Sequence, residues 1–149
     1  MHKGILMEAI RLEGRSGHSS NPALGASALE GMHQVIGELL HWRTELQARY
    51  RNPLFEVDVP TLNLGRIHGG DNPNRICADC ELHIDIRPLP GMALTELRDV
   101  LHQRLGRLLS DGELKLSFEP LFPGIEALET PAAAAIVQAA EDLTGAPAG

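Results

Sequence analysis

Residues Ile76–Arg87 read ICADCELHIDIR, and two interleaved series run through them. One series, Ile76, Ala78, Cys80, Leu82, Ile84 and Ile86, is apolar throughout. The other, Cys77, Asp79, Glu81, His83, Asp85 and Arg87, is polar after its first member. A period of two places successive side chains on opposite faces, so this segment predicts a strand with one face in a core and one face open. Burying the apolar series contributes about 6–12 kcal/mol gross, before chain entropy offsets most of it.

Working upstream, GGDNPN at 69–74 is a turn signal, and TLNLGRIH at 61–68 predicts a second strand weakened at Gly65. ILMEAIRLE at 5–13 predicts a first strand with Leu6, Ile10 and Leu12 on one side, where Glu8 is the exception. Between them the sequence predicts a helix from Pro22 to about Arg49, with Asn21 as its N-cap. Leu29, Met32, Ile36, Leu39, Leu40 and Leu46 recur there at three- and four-residue steps, the spacing of one buried face. RNP at 51–53 ends it, because the residue before a proline disfavours helix.

Downstream, PLPGM turns the chain into a helix over Leu94–Leu109, striped by Leu94, Leu97, Leu101, Leu105 and Leu108. Glu96 stands where a capping box wants it, but Ala93 holds the partner position. ELKLSFE at 113–119 predicts a last strand with Leu114, Leu116 and Phe118 inward. The order β-α-β-β-α-β predicts an α+β fold, a ferredoxin-like two-layer sandwich with a four-stranded antiparallel sheet and two helices on one face. Residues 1–119 form this unit. Residues 120–131 read as a linker, and a helix follows with Thr130 as cap and Pro131 at its first position. That helix has no place in a closed βαββαβ unit and reads as the start of another domain.

At 149 residues with 43% hydrophobic but 3% aromatic side chains, the core must be aliphatic. A net charge of −7, with no basic run longer than two residues, argues against a nucleic-acid surface. No apolar run approaches the roughly 18 residues of a membrane span. The opening residues lack the long apolar stretch and small-residue cleavage site of a signal peptide, and there are two cysteines, so a reduced cytoplasmic setting is expected.

Several constellations invite a chemical reading. Cys77 and Cys80 have half of a zinc pattern, but three residues apart on a strand they point to opposite faces, and no second pair exists. Their bland reading is one core thiol and one surface thiol. His83 and Asp85 share a strand face at metal-like spacing, yet a catalytic zinc needs a third ligand, so a solvated sheet face is favoured. Arg87 is either a surface charge or a carboxylate clamp. His18, inside GRSGHSSNP at 14–22, is different: Asn21 and Pro22 already account for a helix start, which leaves His18, Ser19 and Ser20 surplus to capping. An imidazole on a short, glycine-held loop is placed as catalytic donors often are, although an exposed loop histidine is the commoner case.

The stretches HKGILMEAIRLEGRSGHSSNPALGASALEGMH (2–33) and PTLNLGRIHGGDNPNRICADCELHIDIRPLPGM (60–92) resemble the central insert of a dizinc amidohydrolase family. That family includes acetylornithine deacetylase, succinyl-diaminopimelate desuccinylase and several exopeptidases, and the acetylornithine deacetylases are the most similar. The resemblance implies a lid and dimerisation domain, inserted into a catalytic domain whose segments carry two zinc ions and are absent here. It implies no metal ligand and no cofactor in this chain, a homodimer, an N-acyl amino-acid substrate, a place in arginine biosynthesis, and no activity for the chain alone. By position, His18 matches a lid histidine that reaches into the neighbouring subunit's site as a catalytic donor. Asn74 matches an asparagine that contacts substrate there, and Arg87 an arginine that pairs with the substrate carboxylate. Asn21 stands at a variable position that tunes substrate choice. The pattern departs from relatives at Ser27, where they carry Asn. The second strand, as an unpaired edge, is the candidate dimer contact. From the βαββαβ order alone, a free-standing module that binds a small ligand and regulates a partner is the competing expectation.

Overall fold

The computed structural model describes residues 2–128. β1 (Leu6–Glu13) leads through a short 3-10 turn (Pro22–Leu24) into α1 (Ala28–Arg49), followed by β2 (Thr61–Gly69), β3 (Asp79–Arg87), α2 (Leu94–Leu108) and β4 (Lys115–Pro120). The sheet order is β2-β3-β1-β4, and every neighbouring pair is antiparallel. This is the ferredoxin-like βαββαβ sandwich that the period-two and helical patterns predict.

β3 alternates buried and partly exposed residues along its length, with Cys80, Leu82, Ile84 and Ile86 on the covered face. Leu6, Ile10 and Leu12 of β1 extend that face, and both helices lay their apolar sides on it. Glu8 sits among them at 1% exposure, held by Arg98 at 3.6 Å and His102 at 3.2 Å from α2. The irregularity foreseen in β2 is a register shift between Leu64 and Arg66, with Gly65 the extra residue.

Two element starts, one cap and one helix face differ from the sequence reading. α1 starts at Ala28 rather than Pro22: Gly25 is extended (φ −127°, ψ 173°), because Arg15 and Ala26 exchange two backbone hydrogen bonds that hold the chain open there. Ser27, not Asn21, caps the helix, its Oγ accepting the Glu30 N–H at 3.2 Å. The buried face consequently includes Val35 and Trp42, while Leu29 is half exposed. β3 starts at Asp79 rather than Ile76, since the Ile76 N–H goes to Gly17 O and Ala78 O accepts from Gly14. In α2, Leu108 turns outward and Leu109 takes the inner position. As its sequence suggests, α2 has no side-chain cap of its own at Ala93; the Leu94 N–H donates instead to Glu126 Oε1 at 3.3 Å.

Residues 2–5 and 125–128 run side by side, with His2 opposite Leu128 and Ile5 opposite Ile125. The two segments that lead into and out of the sandwich therefore lie together at one end of it. The helix expected after Pro131 lies outside the described residues.

Candidate functional site

The loop carrying His18 is closed at its neck by the Arg15–Ala26 pair, with N–H···O distances of 2.9 and 2.8 Å. Glycine is obligatory at two places in this neck. A Cβ on Gly14 would lie 2.0 Å from Ala26 O, and one on Gly25 would lie 2.9 Å from the backbone oxygen of Arg15. The loop is then bonded to the turn before β3: Ile76 N–H donates to Gly17 O at 2.8 Å, and Ser19 N–H to Asn74 O at 3.0 Å. His18 and Asn74 are thus brought together, although 56 residues separate them in the chain. The side chain of Asn74 makes no hydrogen bond among the described residues, so its amide is available to a ligand. Asn21 borders the same loop, donating its N–H to His18 O at 3.0 Å, and its side chain caps nothing.

The His18 ring is exposed and oriented by one residue. Ser20 Oγ lies 2.7 Å from Nδ1, and the Ser20 backbone N–H points at the same nitrogen at 3.2 Å. A backbone N–H can only donate, so Nδ1 is the acceptor and the ring proton resides on Nε2. The imidazole therefore presents an outward N–H donor. Sequence reasoning counted Ser20 as surplus; its role is to fix this tautomer.

Arg87 is elsewhere. It ends β3, eight residues and about 26 Å along the strand from Asp79, at the opposite end of the sheet from the His18 loop. Its Nε and Nη2 grip both oxygens of Asp85 at 2.9 and 3.1 Å, and that bond raises the guanidinium pKa still further. The end-on edge, with Nη1, remains for a second carboxylate. Arg87 opens on a depression of about 580 Å³ that it shares with Lys3, Phe55 and Val57. One chain thus carries two separate groups: His18 with Asn74 and Asn21 at one end, Arg87 at the other.

The metal-like patterns have local explanations. His83 Nε2 lies 2.8 Å from Glu81 Oε2, and this bond, with its charge, holds the Glu81 carboxyl below the usual range. Asp85 is engaged by Arg87. Cys80 is buried at 1% exposure, and burial pushes its thiol pKa up, while Cys77 is partly exposed and donates to Asp79 O. Among the described residues no group of three or more His, Cys, Asp or Glu side chains could hold a metal ion. No helix among them is long and apolar enough to cross a membrane.

Residues 1–113 match the peptidase dimerisation domain family. The chain belongs to that family. Dimerisation domains imply self-association. A curated relative, the acetylornithine deacetylase of Edwardsiella ictaluri (strain 93-146), is 54% identical over 144 residues, which is 97% of this chain and 38% of the relative. The chain thus spans well under half of that enzyme's length. Among solved structures, an amidase of the hydantoinase/carbamoylase family from Burkholderia multivorans superposes with a TM-score of 0.69 at 18% identity, covering 99% of this chain and 34% of the other. The aminobenzoyl-glutamate utilization protein of Klebsiella pneumoniae gives 0.63 at 13% identity, over 99% of this chain and 35% of that one. At such identities the structural likeness establishes the fold alone.

Proposed function

We propose that this chain is the dimerisation and active-site lid domain of a zinc-dependent N-acyl amino-acid deacylase that hydrolyses N-acetylornithine in arginine biosynthesis in the cytoplasm. The observation that carries this reading is the 54% identity to an acetylornithine deacetylase over 144 residues, 97% of this chain. On this reading the zinc ions are held by segments of the full-length protein outside this chain.

The chain's own contribution is electrostatic. When an amide carbonyl is attacked, negative charge builds on its oxygen, and a fixed N–H donor lowers that barrier; losing one such donor typically costs about a hundred- to a thousandfold in rate. His18 Nε2–H, held by Ser20, is that donor, and the Asn74 amide is a second polar contact. Asn21, on the rim of the loop, tunes the choice of substrate. Arg87 binds the carboxylate of the amino acid through its forked guanidinium. A substrate of this size cannot span the sheet from His18 to Arg87 of one chain. The reading therefore divides the labour: one protomer of a homodimer lends His18 and Asn74 to a site whose carboxylate is held by Arg87 of the other. β2 supplies the contact, being an edge strand with Ile67 at 54% exposure.

The test is hydrolysis by the full-length, zinc-loaded protein, with N-acetyl-L-ornithine and N-succinyl-diaminopimelate compared. Preference for the acetyl substrate is expected, together with a 149-residue chain that dimerises, retains no stoichiometric zinc and hydrolyses neither. Preference for the succinyl substrate would move the reading within the family. Amide hydrolysis by the isolated chain would overturn it.

A further inference from the structure

The Arg87 depression contains a second cation that the family reading does not use. Lys3, on the segment leading into β1, reaches the 50s loop: its Nζ donates to Val59 O at 2.8 Å and lies 5.9 Å from the centroid of the Phe55 ring. One of its three N–H groups is thereby committed, and Lys3 lines the same cavity as Arg87. Burial lowers its pKa, Asp58 opposes that shift, and the charge of Arg87 adds to it, so the two cations sense one another. Arg87 is already matched to Asp85 on its side-on edge. The acidic neighbours of Lys3 are Asp58, which also pairs with Arg51 at 3.5 Å, and Glu56 on the rim. The remaining walls are His2 and the apolar Ile5, Phe55, Val57 and Ile125, with Val57 and Ile125 exposed at 53% and 45%.

One ammonium and one guanidinium residue lining the same partly apolar cavity match a carboxylate with an aliphatic substituent: the carboxylate between the cations, the chain against Val57 and Ile125. We propose that Lys3 is the second arm of the carboxylate clamp and a specificity-determining residue, giving an N-acyl amino acid two charge-assisted donors where Arg87 alone would give one. The proposal rests on the reading of Arg87 as a carboxylate ligand, but every residue of the clamp lies in this chain, so binding can be read without hydrolysis.

The experiment titrates the isotope-labelled 149-residue chain with N-acetyl-L-methionine and with N-acetyl-L-methioninamide, following the Arg87 Nε–H and Lys3 Hε–Cε signals. The acid is expected to shift both signals saturably and the amide neither. Lys3→Met should weaken acid binding about tenfold, as befits the loss of one charged donor, and Lys3→Arg should keep most of it. Acid binding that survives Lys3→Met unchanged, or a Lys3 signal that never moves, overturns the clamp. Equal weakening for acid and amide would make Lys3 a mere anchor of the 50s loop and overturn it too. Failure of the full-length protein to hydrolyse N-acetyl amino acids would count against the deacylase function and leave this measurement standing.

Discussion

Glu8 shows what one residue can conceal. The alternation of β1 marks it as a misfit on the covered face, and the reason lies about 90 residues away, in Arg98 and His102 of α2, with His102 stacked on Phe118 at 3.8 Å. No local pattern could supply those partners. Removing the carboxylate leaves Arg98, whose Nε already lacks a hydrogen bond, as a half-buried charge without its counter-ion. Glu8→Ala should therefore cost about 3–5 kcal/mol in urea unfolding. A loss under 1 kcal/mol would show the cluster to be solvated. At the same scale, Ser20 was legible only as an extra serine, because hydrogen-bond direction and ring tautomer are properties of geometry. In the full-length enzyme Ser20→Ala should lower kcat about tenfold or less with KM unchanged, since the backbone N–H still orients Nδ1. Nitrogen NMR of His18 should then still report the ring proton on Nε2, and a proton found on Nδ1 would contradict the backbone donor's role.

Among the elements, strands were the most legible and the start of α1 the least. Period-two patterning is independent of tertiary context, which is why β3 and its covered face could be read directly. Asn21-Pro22 is a strong start signal, but the neck pairing of Arg15 with Ala26 delays the helix. The overlooked signal was Ser27-Ala-Leu-Glu30, a capping box one loop further on. Ser27→Ala should cost about 1 kcal/mol, readable as a lowered Tm, whereas Asn21→Ala should leave Tm where it is. The two helices are also tied by Arg104, which bonds Glu38 at 2.8 Å and Glu45 at 2.6 Å. The Arg104 hydrogen bond holds the Glu45 carboxyl below its usual 4.5. A depressed folded-state pKa contributes stability that is present above the unfolded value and is lost as pH falls through the folded one. Glu45→Gln should thus lower Tm at pH 7, and the difference should close on acidification below the ordinary carboxylate range. A difference that persists undiminished at low pH would contradict that origin.

For the whole molecule, the fold places its chemistry at two ends. The His18 loop and the Asn74 turn meet where β1 ends and β3 begins, and Arg87 meets Lys3 where β3 ends and the chain enters and leaves. The sequence made the separation legible, since Arg87 closes the strand that Asn74 precedes, but not the convergence of His18 with Asn74, which depends on backbone bonds between two loops. On the proposed reading, distance along the sheet is what calls for a second subunit.

That necessity can be measured directly. Full-length His18→Ala protein is mixed with a variant lacking one metal ligand of the catalytic domain, each inactive alone, under conditions where mass spectrometry demonstrates subunit exchange. A histidine acting across the dimer should restore about a quarter of wild-type activity, the statistical yield of one working site in half of the two-fold dimers. No recovery in fully exchanged dimers would contradict a shared site and place His18 outside its partner's chemistry.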